Sequence, residues 1–187
     1  MKKSGFTLAE VLITLVIIGV IAAMTVPSLM NNTRGQEYRA ALKKAVSALN
    51  QSLTLHYALD GESAADLSGA TNLANALQLH MNVLDSGAYN QPKGELAACT
   101  KGTNCFATTD GIVYYVSSHA GATCSSGTGS CGTIWVDVNG DRNPNKKTDS
   151  AANPKDQYEL AVYSQKIVPG DTVSQAVMYN QESSSGS

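Results

Sequence analysis

Charge is scarce in this sequence. Asp, Glu, Lys and Arg together make up 15% of the 187 residues, the net charge is −2 and the pI is near 5.9. So few basic side chains cannot build the cationic face that a nucleic-acid backbone requires, and no nucleic-acid partner is expected. Catalytic signatures are missing too. There is no G-x-x-x-x-G-K-[ST], no H-E-x-x-H and no G-x-S-x-G, and none of the three histidines, His56, His80 and His119, lies beside a nucleophile in a recognisable motif. No enzymatic activity is expected. His80 reads as a surface or half-buried residue rather than a ligand. The four cysteines contain no C-x-x-C pair, which argues against a zinc ribbon or finger. No internal repeat is visible.

The shortage of charge is most extreme from Phe6 to Met30, FTLAEVLITLVIIGVIAAMTVPSLM, where Glu10 is the only charged residue. As a helix rising about 1.5 Å per residue, this stretch can cross the ~30 Å hydrocarbon core of a bilayer. Two ordinary explanations fail. A cleaved secretory signal has an apolar region of ~7–15 residues and a small-residue cleavage site, whereas this run is longer and Ala22-Ala23-Met24-Thr25 matches such a site poorly. A plain signal anchor accounts for the length but not for Glu10. A carboxylate in a membrane span costs roughly 2.5–3.5 kcal/mol and normally has a partner. No Lys or Arg occurs between Phe6 and Asn32, so the partner is expected on another chain.

Lys2-Lys3-Ser4-Gly5, followed by Phe6-Thr7-Leu8-Ala9-Glu10 and an apolar span carrying Gly19 and Pro27, resembles the start of the type IV pilin superfamily, which includes the type II secretion pseudopilins. The resemblance covers about the first 30 residues. It implies that a prepilin peptidase cuts after Gly5 and methylates the new amine of Phe6. It implies further that Glu10 pairs with the N-terminal amine of a neighbouring subunit as a helical homo-oligomer grows from an inner-membrane assembly platform. Gly19 and Pro27 would bound a segment that kinks, or melts in the filament, since both disfavour helix interiors. The protein would sit in the inner membrane as a precursor and then in an extracellular pilus or a periplasmic pseudopilus. Removing Lys2 and Lys3 with the leader shifts the side-chain balance to −4.

The expected organisation is a leader over residues 1–5 and a hydrophobic membrane or filament-core helix over 6–30. An amphipathic continuation over 31–59, a globular head over 60–182 and a disordered tail over 183–187 follow. In the continuation Tyr38, Leu42, Ala45, Val46, Leu49, Leu53 and Tyr57 recur at three- and four-residue spacing, forming one buried stripe. Asp60-Gly61 is the expected stop. A short helix is expected over 72–84, a loop over 86–102, a hairpin from 105–108 and 112–117, and strands over 133–138 and 157–167. Val173 to Tyr179 reads as either strand or helix. The fold class is α+β: a long N-terminal helix packed on a small antiparallel sheet, pilin-like in architecture.

Cys99, Cys105, Cys124 and Cys131 allow three pairings. Their gaps group 99 with 105 and 124 with 131, each closing a short loop that contributes roughly 2–3 kcal/mol on the chain-entropy model. Asp137, Asn139 and Asp141 place oxygen ligands at alternate positions, as at the start of a calcium loop. Arg142 then stands where an EF-hand has glycine, and Thr148 where it has glutamate; Asp149 or Asp156 would have to supply a late ligand. The segment also resembles a D-x-N-G-x-x-x-P-N connection of pilin-like domains, some of which bind calcium. Calcium and a simple Asx-stabilised turn both remain open at this point. Three functions fit the whole: a pilin in a filament body, a pseudopilin or minor subunit of a secretion or DNA-uptake machine, and a membrane-anchored monomeric binding module.

Overall fold

The computed structural model describes residues 5, 7–84, 93–100, 102–124, 129–140 and 142–179. Residues 86–92 and 101 of the expected loop over 86–102 lie outside them, as do the tail over 183–187, Phe6 and Asp141. The chain divides into two compact units, Met1–Glu37 and Tyr38–Ser187.

Helix α1, Leu8–Asp60, runs through both units. In the first, its backbone stays helical through Gly19 and Pro27. Among the described residues its apolar side chains are not buried: Leu8, Leu12, Ile13, Leu15, Val16 and Ile18 are all more than half exposed.

In the second unit the same helix becomes amphipathic and buries one stripe. Leu42, Ala45, Val46, Leu49 and Leu53 have no more than 4% of their surface exposed. The stripe then passes through Ser52 and His56 rather than Tyr57, which is about half exposed. The reason is helical phase. Three residues beyond Leu53, His56 still faces inward, while Tyr57 is turned a further ~100° at 3.6 residues per turn. The last turn closes by a hydrogen bond from the Gly61 amide to the Tyr57 carbonyl, and Gly61 leaves the helix at φ +75°.

Helix α2, Gly69–Leu79, is shorter than the expected 72–84. The segment after it is captured by the sheet instead. The Leu84 amide donates to the Ala107 carbonyl, the Thr109 amide to the Asn82 carbonyl, and Val83 bridges Thr108.

The sheet is an antiparallel meander of β1 (Cys105–Ala107), β2 (Val113–His119), β3 (Gly132–Asp137), β4 (Gln157–Val162) and β5 (Ile167–Pro169), in that spatial order. The single strand expected over 157–167 is two strands. Its chain reverses at Tyr163–Lys166, where the Tyr163 amide donates to the Lys166 carbonyl. The strand period of two sets the faces. Tyr114, Val116, Ile134, Val136, Tyr158, Leu160 and Val162 point into one core with the α1 stripe and with Leu73 and Leu77 of α2. Val113 and Tyr115 point the other way and join Leu96, Cys105 and Ala107 in a smaller cluster. A register shift between Val116 and Ser118 separates this regular part of β2 from its end.

Two short helices complete the head, α3 (Gly121–Cys124) and α4 (Thr172–Tyr179). The second settles the strand-or-helix alternative at 173–179. Asp171 caps it, its carboxylate accepting the Ser174 amide three residues on.

Candidate functional site

Among the described residues, nothing lies within 4 Å of where a Cβ on Gly5 would stand. Thr7 and Glu10 then form a reciprocal cap on α1. The Thr7 amide and hydroxyl both donate to Glu10 Oε2 at 2.8 Å, and the Glu10 amide donates back to Thr7 Oγ1 at 3.3 Å. This is a capping box, T-x-x-E, which satisfies amide groups that the first helical turn leaves without partners. The signature was present in Thr7-Leu8-Ala9-Glu10; reading Glu10 only as an ion-pair partner obscures it.

The following stretch, Leu8–Val26, is 19 residues long with a mean hydropathy of 2.5 and none of it buried, so it is long and apolar enough to cross a membrane. Its hydroxyls are spent within the helix: Thr14 donates to the Val11 carbonyl and Thr25 to the Ile21 carbonyl. Glu10 is thus its one formal charge, and among the described residues no cation approaches it. Gly19 lies in open surroundings on this helix. Pro27 belongs to its backbone.

The second candidate, the connection after β3, is organised around hydrogen bonds of the protein's own. Asp137 is 3% exposed; its Oδ2 accepts from Gln157 Nε2 at 2.9 Å and its Oδ1 from the Asn139 amide at 3.2 Å, the latter an Asx turn. Gln157 also donates to the Lys93 carbonyl and accepts from the Glu95 amide, so it ties β4 to the segment before the smaller cluster. Asp156 is fully buried and accepts the Asn145 and Lys146 amides. Asn139 Nδ2 reaches toward the Asn143 carbonyl and the Tyr38 hydroxyl at 3.4 and 3.5 Å, while its Oδ1 is buried with no partner among the described residues. Calcium needs six to eight oxygens turned to one point. Here the two aspartates are turned to separate internal donors, and Asp141 lies outside the described residues. In this arrangement the Asp137 carboxylate stabilises its own turn through the Asn139 amide.

Burial pushes the Asp137 carboxyl up to about 7, with the nearby Asp156 charge adding to the shift and the Gln157 bond opposing it. An acid whose value rises from 3.8 to about 7 on folding holds a proton in the folded state that the unfolded chain has lost. Its contribution is favourable below pH ~4 and declines as pH rises through ~7. The thermal midpoint of the purified chain is expected to fall between pH 5 and pH 8, and Asp137→Asn is expected to flatten that slope. An identical slope in both proteins would contradict the assignment.

The cysteines form two disulfides, Cys99–Cys105 and Cys124–Cys131. The first joins the start of β1 to the segment before it. The second links the end of α3 to the residue preceding β3, under the edge where the Cys131 amide donates to the Val162 carbonyl.

The first 26 residues match the family model described as the prokaryotic N-terminal methylation motif. Type II secretion system core protein G of Aeromonas hydrophila is 41% identical over 59 residues, which is 32% of this chain and 40% of that protein. The protein of the same name from Escherichia coli (strain K12) is 42% identical over 59 residues, 32% of this chain and 39% of its own length. The chain thus spans about two fifths of the length of these curated relatives. No solved structure matches it.

Proposed function

We propose that this chain, a member of the superfamily of type IV pilins and type II secretion pseudopilins, is a structural subunit that polymerises through α1 into a helical filament once its leader is removed between Gly5 and Phe6. The observation that carries the reading is Glu10: one carboxylate on the apolar stretch Leu8–Val26, with no cation near it among the described residues. Cleavage at Gly5 creates an ammonium four residues ahead of it. In a low-dielectric surrounding a carboxylate and an ammonium attract strongly, and either one left alone is costly. An adjoining copy that brings its amine to Glu10 resolves both penalties and sets the axial register. Prepilin peptidase, the inner-membrane platform and further copies of the chain are the partners in this reading. Its course runs from inner-membrane precursor to pilus or pseudopilus.

A pseudopilus is the specific alternative, favoured by the two relatives named as core protein G of type II secretion systems. Abundance in sheared surface filaments separates a major pilin from a minor subunit or a pseudopilin.

Processing is tested by the mass of the mature N-terminus. The expected product starts at Phe6 and carries one methyl group on its α-amine. A mature protein that starts at Met1, or near Met24 with the apolar part gone, removes the basis of the proposal.

A further inference from the structure

The last turn of α1 and the end of α2 bring two imidazoles and a carboxylate to one point. His56 and Asp60, four residues apart, lie on the same face of α1, and His80 caps the C-terminus of α2. His56 Nδ1 lies 2.8 Å from Asp60 Oδ2, and His80 Nε2 lies 3.7 Å from the same oxygen. The two rings are 5.8 Å apart between centroids, tilted by 51°. One ligand atom from each of the three residues falls within 4.8 Å of every other. We propose that His56, Asp60 and His80 bind a divalent transition metal, with zinc the best fit.

The histidines are placed as ligands are and not as packed core residues are. The His56 side chain is 7% exposed and the His80 side chain 15%. Buried polar nitrogens normally have partners. Yet among the described residues neither ring nitrogen of His56, nor His80 Nε2, makes a hydrogen bond of acceptable geometry, although Asp60 is close. His119 differs in part: its Nδ1 also has no partner among the described residues, but its Nε2 lies 2.9 and 3.1 Å from the Ala64 and Leu67 carbonyls.

The donor set selects the ion. Two imidazole nitrogens with one carboxylate suit zinc and its neighbours, whereas calcium and magnesium demand oxygen. Around zinc, ligand atoms at about 2.0–2.1 Å stand roughly 3.3 Å apart. The two distances to Asp60 Oδ2, 2.8 and 3.7 Å, bracket that value. Glu62 supplies the outer support. Its Oε2 is 3.8 Å from His56 Nε2, the nitrogen facing away from Asp60. A histidine that binds metal through one nitrogen characteristically gives its other N–H to a carboxylate, which fixes the ring and raises its basicity. Among the described residues no fourth ligand joins these three, so water or another donor would complete the shell. Asp60 and Glu62 are about half exposed, so an ion has a path in. A bound metal would pin the end of α1 to α2 at the point where the helix leaves the core, and the inference does not depend on filament formation.

The test is titration of the full-length chain in detergent with zinc alone, followed by calorimetry, and with cobalt(II) alone, followed by its visible absorption. The expected result is one ion per chain and the strong visible bands of tetrahedral cobalt. Asp60→Asn and His80→Gln are each expected to weaken binding at least ~10-fold, and Glu62→Gln to weaken it less. Asp60 is exposed enough for its variant to fold, and circular dichroism verifies this for each protein. Absence of saturable binding in the wild type overturns the proposal. So does binding that is unchanged in both Asp60→Asn and His80→Gln.

Discussion

Glu10→Ala is expected to abolish filament assembly while leaving a stable, membrane-inserted protein. The substitution removes a charge that costs roughly 2.5–3.5 kcal/mol in a membrane span, so the monomer gains in the bilayer. What it loses is the interaction between copies. Removing one partner of a buried ion pair typically costs about 3–5 kcal/mol, because the other charge is left without compensation. At 1.4 kcal/mol per tenfold, that lowers each subunit's association constant by at least about two orders of magnitude. The local cap complicates the result, since Ala also deletes the Thr7–Glu10 bonds that close the first turn of the helix. Two companions separate the effects. Glu10→Gln keeps groups able to bond Thr7 but carries no charge, and is expected to fail like Ala. Thr7→Ala breaks the cap but keeps the carboxylate, and is expected to assemble. Filaments sheared from cells and quantified against membrane-retained subunit are the measurement. An anchored monomer predicts no phenotype for any of the three, and normal filaments from Glu10→Ala would reject the subunit reading.

How much of this molecule could be read from its residues follows from the range of the interactions involved. The membrane-length helix and the stripe through Leu42, Ala45, Val46, Leu49 and Leu53 depend on periodicity within one element, and periodicity is written in the sequence. Capping at Thr7-x-x-Glu10 was equally local. The end of α2 was not. Leu79 to Leu84 continues an apolar pattern, but whether it stays helical depends on Ala107 and Thr108 offering strand partners some 25 residues later. The split of 157–167 into two strands turns on a tight reversal at Tyr163 that no Gly or Pro marks. The loop after β3 was the least legible. Asp137, Asn139 and Asp141 alternate as calcium ligands do, yet Gln157 on the neighbouring strand decides where the Asp137 carboxylate turns. The grouping of His56 with His80 is likewise invisible until two helices meet.

Asp156→Ala is expected to destabilise the head by roughly 3–6 kcal/mol, since two hydrogen bonds to a charged group at about 1.5–3 kcal/mol each disappear together. Asp156 immediately precedes β4 with no exposed surface, and its two oxygens hold the Asn145 and Lys146 amides at 2.7 and 2.9 Å. Asn145 is itself buried and sits at φ +50°, a conformation a non-glycine residue keeps only when its surroundings hold it there. The same loop is fastened beside this point by the Thr148 amide to the Gln157 carbonyl and by the Gln157 amide to the Lys146 carbonyl. With alanine, the Asn145 amide remains buried without an acceptor, and those neighbouring bonds lose their anchor. Asp156→Asn should cost roughly half as much, because one oxygen still accepts while its amide group faces the second N–H. That variant also carries a second readout. The Asp156 charge is one reason, after burial, that Asp137 holds its proton to about pH 7. Neutralising it should let Asp137 ionise at lower pH, which carboxyl titration by NMR would register. Denaturant midpoints for the three proteins at one pH measure the first effect. A loss below about 1 kcal/mol in Asp156→Ala, the net worth of one ordinary hydrogen bond, would mean that the loop is held from elsewhere.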